Sequence, residues 1–263
     1  MNRRYTLFIP ENLKLIDKFE TEVVFTPNHI QTKFLTQDYA PRSVILKARQ
    51  QGFSSIINAV MTYDFLFVPH TYNMVVADNK DNAEGLLKRV KDLIISFQDT
   101  TGLKIDLKYD SKYNLYWERM DSTYIIGTAE NAQLGRSKTI SNLHLSEAAF
   151  YPNLASILAG AAQAVIPSGR VMMETTANGF NEFKTFWDDA EAGRNNFKPL
   201  FYKASDFYSP EFLAEKKKEL KEKFPQEYPE SAIEAFLTSG NKYFDGQSLK
   251  IYLDEVKDVQ TIS

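Results

Sequence analysis

The run Lys47-Ala48-Arg49-Gln50-Gln51-Gly52-Phe53-Ser54-Ser55 gathers cations, amides and hydroxyls around a single glycine. The chemistry such a run supports is phosphate binding. It overlaps the end of an apolar, β-branched stretch (Ser43–Ala48) and runs into Ser54–Phe67, which reads as a helix. A helix N-terminus offers unpaired N–H groups and the positive end of a dipole to an anion. The usual phosphate-loop pattern is G-x-x-x-x-G-K-[ST]. Gly52 and Ser54 match its second glycine and its hydroxyl, whereas Lys47 stands at the first glycine and Phe53 at the lysine. Lys47 is therefore read as the cation that reaches the β- and γ-phosphates from the strand end, and Ser54 as a ligand for Mg2+. On spacing alone, the plainer reading is a strand–turn–helix in which Gly52 supplies only backbone freedom.

Phosphoryl transfer to water also needs a residue that orients the attacking water and a group that helps hold the metal. Thr139–Leu145 is apolar enough for a central strand and ends in Ser146-Glu147. The usual ending is Asp-Glu, so Ser146 is a weak metal-positioning candidate and Glu147 the candidate general base. The bland alternative for Glu147 is a surface residue opening a turn. Arg170–Thr175 reads as a further buried strand, followed by Thr176-Ala177-Asn178-Gly179. Small polar groups at a strand's carboxyl end sit where open α/β sheets bind ligands. Thr175, Thr176 and Asn178 are thus candidates for sensing the γ-phosphate, against the simpler reading of a helix-capping turn. His29, His70 and His144 are scattered without metal-ligand spacing.

The elements that must position these groups alternate. Ser43–Ala48 and Asn73–Ala77 read as strands, with a helix over Ser54–Phe67 and another from Lys80 to Gln98. Further strands are expected at Leu103–Tyr109, Tyr113–Glu118, Ser122–Gly127, Thr139–Leu145 and Arg170–Thr175, and a helix over Leu154–Val165. This β–α alternation predicts an α/β fold with a mainly parallel sheet flanked by helices. Phe207–Phe224 reads as a charge-rich helix capped by Ser209, and Ser231–Leu237 as a shorter one. The 263 residues are expected to divide into a core over 1–200 and a helical lid and linker over 201–263. Hydrophobic residues make up 43%, enough for a sizeable core. A net charge of −3 excludes a chain coated uniformly onto nucleic acid but leaves room for a basic patch. With no cysteine, disulfides, cysteine–zinc sites and thiol nucleophiles are excluded. No stretch has the length of a signal-peptide core or a membrane span, so a soluble intracellular chain is expected.

Taken in order, these segments resemble the large terminase subunit of tailed bacteriophages, specifically its N-terminal packaging ATPase. K-x-R-Q-x-G-F-S is similar to that family's shifted-lysine loop, NLHLSEAAF to its acidic strand, and ETTANG to its coupling motif. Phe25-Thr-Pro-Asn-His-Ile-Gln31 resembles its adenine-contacting glutamine segment, and Gln133-Leu-Gly-Arg-Ser137 a loop with a functional arginine. Tyr228–Gly240 resembles the segment that closes the ATPase half. The resemblance runs from about Thr21 to Asp245.

The resemblance implies a RecA-like P-loop NTPase of the additional-strand catalytic-glutamate type, using ATP and Mg2+ to drive double-stranded DNA into a procapsid. It implies Gln31 on the adenine, residues 47–55 on the phosphates, Glu147 on the water, and Arg136 as an arginine acting within or between subunits. Expected partners are DNA held through its phosphates without sequence preference, the portal and procapsid, and the small terminase subunit. A ring is expected on assembly, a monomer in isolation, and the host cytoplasm as location. Lys88, Arg89, Lys91, Lys216–Lys218, Lys221 and Lys223 are candidate DNA contacts, although solvated helix faces explain them as well. The metal-dependent nuclease half of that family has no counterpart in these residues, so nuclease activity is not expected. Two rivals are kept: a helicase-like, nucleic-acid-stimulated NTPase, and a catalytically weak ATP-fold module of capsid assembly, favoured by Phe53 and Ser146.

Overall fold

The computed structural model describes residues 3–17, 19–131, 135 and 138–237. Helix α1 (Arg3–Asn12) leads into a two-stranded antiparallel sheet of β1 (Lys14–Ile16) and β2 (Glu22–Val24). Helix α2 (His29–Lys33) precedes β3 (Arg42–Lys47), α3 (Phe53–Phe67), β4 (Tyr72–Ala77) and α4 (Lys80–Thr101). Then come β5 (Tyr109–Asp110), β6 (Asn114–Trp117), β7 (Ser122–Thr128), β8 (Ile140–Ser146), α5 (Leu154–Ile157) and β9 (Val165–Thr175). The chain continues through α6 (Glu182–Glu191), β10 (Lys198–Tyr202), α7 (Pro210–Leu220), α8 (Phe224–Glu227) and α9 (Ala232–Leu237).

Eight strands form one sheet in the order β10-β3-β9-β8-β4-β7-β6-β5. From β10 to β7 every neighbouring pair is parallel, and β6 and β5 extend the edge antiparallel. Burial alternates between the faces. Ile45, Val75, Ala77 and Met172 join the core beneath α1, α3 and α4. Val44, Leu46, Met74, Val76, Val171 and Met173 join the core with α6 and α9. Helices on both faces explain why these strands read as continuous apolar runs. This is the expected α/β, RecA-like architecture with a mainly parallel sheet. Among the described residues no helix is long and apolar enough to cross a membrane.

Three expected elements differ. Of the strand expected at Leu103–Tyr109 only Tyr109 lies in a strand, as the first residue of β5. Gly102 caps α4 in the left-handed region, and the Ile105 N–H donates to the Gln98 side chain at 2.7 Å, so that stretch spends its donor locally. The helix expected over Leu154–Val165 is one α turn plus a π turn (Leu158–Ala162), because Val165 already pairs with Ile140 in the sheet. The helix expected within Phe207–Phe224 starts at Pro210 under its Ser209 cap, as expected, but ends early at Leu220, where Lys221 adopts φ 50°. The boundary expected at 200/201 falls inside β10, which completes the main sheet.

Candidate functional site

The loop after β3 is held from two sides. The Gln31 amide donates from Nε2 to the Gly52 carbonyl at 2.8 Å and accepts at Oε1 from the Asn28 N–H at 2.9 Å. Asn28 Oδ1 accepts in return from the Gln31 N–H at 2.9 Å, closing a capping box at the start of α2. On the other side the Arg49 N–H donates to the Glu227 carbonyl at 2.9 Å, and the Tyr208 hydroxyl donates to the Arg49 carbonyl at 2.7 Å. Gln51 Nε2 donates to the Lys203 carbonyl at 3.0 Å. The chain after β10, through Lys203, Tyr208 and Glu227, therefore braces the loop on this side.

Gly52 has φ +80°, and a Cβ there would lie 2.5 Å from Gln31 Nε2. Gly52→Ala must adopt a left-handed conformation and displace the Gln31 amide. A non-glycine residue in that conformation costs on the order of 1–3 kcal/mol. The expected result is a lower melting temperature together with weaker nucleotide affinity. An unchanged melting curve would show that the loop is not anchored through Gln31.

Behind the loop lies a buried charge cluster. Lys47 Nζ is 3.2 Å from Glu147 Oε1 and 3.2 Å from Glu174 Oε2, and Lys47 and Glu174 are both buried. Glu174 Oε1 accepts from Ser54 Oγ at 2.8 Å and Ser146 Oγ at 2.7 Å, with His144 Nε2 at 3.3 Å. Burial alone lowers a lysine's pKa, but the two carboxylates outweigh it and hold the Lys47 ammonium protonated well above its ordinary range. Burial likewise works to raise Glu174, yet Lys47, His144 and Ser146 hold its carboxyl far below the usual carboxylate range. Glu147 goes the other way: burial raises it, the Lys47 charge only partly offsets that, and the Glu174 charge adds to the rise.

Glu147 follows the last residue of β8 and has φ 56°, a left-handed conformation that few non-glycine residues adopt. This turn swings its carboxylate back toward β9. There Oε2 accepts from Thr175 Oγ1 and the Thr176 N–H, both at 3.3 Å. The side chain keeps 31% of its surface exposed, so water reaches it, whereas Lys47 behind it keeps 6%.

A cleft of about 500 Å³ opens over these groups, lined among others by Arg49, Ser54, Ser146, Glu147, Thr176 and Gln226. It lies at the carboxyl ends of β3, β8, β9 and β4, where parallel α/β sheets bind ligands. Among the described residues no group of carboxylates and imidazoles could cage a metal unaided. Mg2+ in nucleotide sites needs only one or two protein oxygens beside waters and phosphates. The hard oxygen of Ser54, on the cleft wall and backed by Glu174, fits that requirement.

No protein-family model matches the sequence. Solved structures do match its fold. The large terminase ATPase domain of Thermus phage P74-26 superposes with a TM-score of 0.62 at 18% identity, covering 78% of this chain and 93% of that one. The large terminase of bacteriophage HK97 gives a TM-score of 0.60 at 15% identity, covering 80% of this chain and 46% of that one. The fold is that of a terminase ATPase domain. The large terminase of a thermophilic bacteriophage, in complex with ADP, matches at a TM-score of 0.53 and 14% identity over 75% of this chain and 51% of that one.

On this terminase-ATPase fold the residues singled out from the sequence do not all meet at the cleft. Ser54, Ser146, Glu147 and Thr176 line it, and Lys47 and Thr175 are buried behind Glu147, each bonded to its carboxylate. Arg49 lines it as well, from the exposed loop; Gln50 is exposed on that loop, Ser55 is half-buried, and Ala48 is buried against Ala204 and Tyr228. Gln51 is buried and turned to Lys203, away from the cleft. Asn178 Nδ2 donates to the Ala149 carbonyl at 3.2 Å, fixing the turn after Glu147. The Phe53 ring is a core side chain, 1% exposed, with ring centroids 4.7 Å from Tyr202 and 5.6 Å from Phe34, which leaves only its backbone at the start of α3 to face a phosphate. A lysine there would put an ammonium into an apolar pocket, which explains why the cation stands at position 47. Gln31 is buried and its amide already serves the loop backbone. Arg136 lies outside the described residues, as do residues 238–263 of the expected lid and linker. Two residues of the cluster were missed from the sequence: Glu174 and His144. The available signal was a charge inside the apolar run Arg170–Thr175, since fully buried carboxylates are rare unless paired.

Proposed function

We propose that this chain is the ATPase part of a bacteriophage DNA-packaging motor, hydrolysing ATP to drive double-stranded DNA into a procapsid. The observation that carries the reading is one cleft of a terminase-ATPase fold lined by Ser54, Glu147 and Thr176, with Glu147 held from behind by the Lys47 ammonium, the Thr175 hydroxyl and the Thr176 N–H. In this reading the loop N–H groups and the start of α3 cradle the phosphates, and Arg49 and Lys47 neutralise their charge. Ser54 would hold Mg2+, which would supply positive charge to offset that of the phosphates. A γ-phosphate beside Lys47 gives the ammonium a new anionic partner and loosens its grip on Glu147. The released carboxylate then orients the attacking water. When phosphate leaves, Thr175 and Thr176, already bonded to Glu147, carry the change into β9 and the Asn178 turn.

DNA, portal, procapsid and small terminase subunit are the proposed partners, with a ring forming on the portal in the host cytoplasm. Arg136 is proposed to reach the γ-phosphate of a neighbouring subunit. The test measures ATP hydrolysis by the chain alone, with double-stranded DNA, and with portal. Low basal turnover that rises on assembly is expected. Nucleotide binding without turnover under every condition would instead identify an inert capsid-assembly module. Mixing Arg136→Ala with Glu147→Gln subunits should restore partial activity, because an intact Glu147 then meets an arginine from its neighbour. No recovery in mixtures shown to form rings defeats the between-subunit role.

A further inference from the structure

Glu174 is fully buried and stands directly opposite Ser146 in the parallel register of β8 and β9. Removing a carboxylate from water costs several kcal/mol even after relaxation. Balancing Lys47 does not by itself require it, because Glu147 already faces the ammonium at 3.2 Å. What Glu174 does beyond that pairing is accept two hydroxyl protons on one oxygen, from Ser54 at 2.8 Å and Ser146 at 2.7 Å. A serine hydroxyl has a single proton and two lone pairs. With its proton committed to Glu174, Ser54 presents only lone pairs to the cleft it lines. A hydroxyl polarised in this way is a better ligand for a hard cation and a worse donor to phosphate. The carboxylate that an Asp-Glu ending would carry at position 146 is thus found one ladder step sideways.

We propose that Glu174 is the metal-positioning carboxylate of this site, acting through Ser54 in place of the aspartate missing at Ser146. The proposal rests on the nucleotide-hydrolysis reading and adds to it a residue and a role. Glu174 touches neither nucleotide nor metal; it orients the residue that does. Swapping which of the paired positions carries the acid should therefore be tolerated.

The experiment measures ADP affinity of the full chain in EDTA and with Mn2+, and Mn2+ affinity of the ADP complex by electron paramagnetic resonance. In Glu174→Gln, ADP binding in EDTA should stay near the parent value. Mn2+ affinity in the complex should fall about 10–100-fold, as when an outer partner of a metal ligand is lost. Adding Ser146→Asp to Glu174→Gln should restore most of it. An equal loss with and without metal, unrescued by Ser146→Asp, would reduce Glu174 to a counter-ion of Lys47 and overturn the proposal. A parent chain that binds no ADP at all overturns the nucleotide reading itself. A parent that binds ADP, with Mn2+ affinity unaffected by Glu174→Gln, overturns this proposal alone. If Glu174→Gln does not fold, the structure of the parent with ADP and Mn2+ decides. Ser54 on the metal and bonded to Glu174 supports the assignment, and Ser54 away from the metal refutes it.

Discussion

Replacing Glu147 by glutamine is expected to leave ATP bound and to lower turnover about 10²–10⁴-fold, the usual worth of a positioned general base. Glutamine preserves the shape and still accepts from the Thr176 N–H, so the turn after β8 survives. It cannot take a proton from water. The left-handed backbone at φ 56° argues for the same role, because strain of that kind persists where the surrounding structure enforces it. The pH profile supplies a second check. Burial raises the Glu147 carboxyl above its ordinary range. In the free protein kcat/KM should therefore fall with decreasing pH through an apparent pKa above that of an ordinary glutamate, and that acid limb should vanish in Glu147→Gln. Pre-steady-state measurement of bound ATP and released phosphate separates the steps. Turnover within a few-fold of the parent would remove Glu147 from the chemistry.

The sequence made part of this site visible, and the reason is local. The strand–turn–helix of the proposed phosphate loop is encoded by neighbours in the chain: Gly52 for φ +80°, Ser54 at the first turn of α3, and an apolar strand ahead of them. The strand ending in Ser146-Glu147 was legible in the same way. The bracing was not. Glu227, Tyr208 and Lys203 meet the loop only through tertiary packing, and nothing in their own segments marks them. Glu174 shows the limit most clearly. Its partner Ser146 is set by register across β8 and β9, while Lys47 comes from the strand on its other side. The Phe53 side chain was illegible for the opposite reason. Pattern matching assigned it a role from its place in a motif, whereas its side chain answers to Phe34 and Tyr202. Gln31 stands between these cases, in the expected segment but with its amide spent on Gly52 and Asn28.

Lys47→Ala is expected to fail twice, for separable reasons. Removing one member of a buried ion pair costs about 3–5 kcal/mol, because the remaining carboxylate is left without a counter-charge. Removing a charged donor to phosphate costs about 1.5–3 kcal/mol of binding, or roughly 10–150-fold in affinity. A second substitution tells them apart. Glu174→Gln in the Lys47→Ala background removes the stranded charge and should recover most of the stability, while nucleotide affinity stays low. The pH dependence follows from the same electrostatics. In the parent the Glu174 carboxyl is held far below its ordinary value of 4.5, so its contribution is fully present above that value and is lost as pH falls through the depressed one. Without Lys47, burial drives the carboxyl upward instead. Its contribution then changes sign: the neutral acid is tolerated, and ionisation on raising the pH destabilises the fold. The stability gap between parent and Lys47→Ala should therefore be widest near neutrality and narrow in mild acid, about pH 5. Urea denaturation of both proteins and of the double variant at each pH measures it. A gap that does not change with pH, or a double variant no more stable than Lys47→Ala, would mean that Glu174 does not depend on Lys47 for its charge. The cluster would then be held by His144, Ser54 and Ser146 alone.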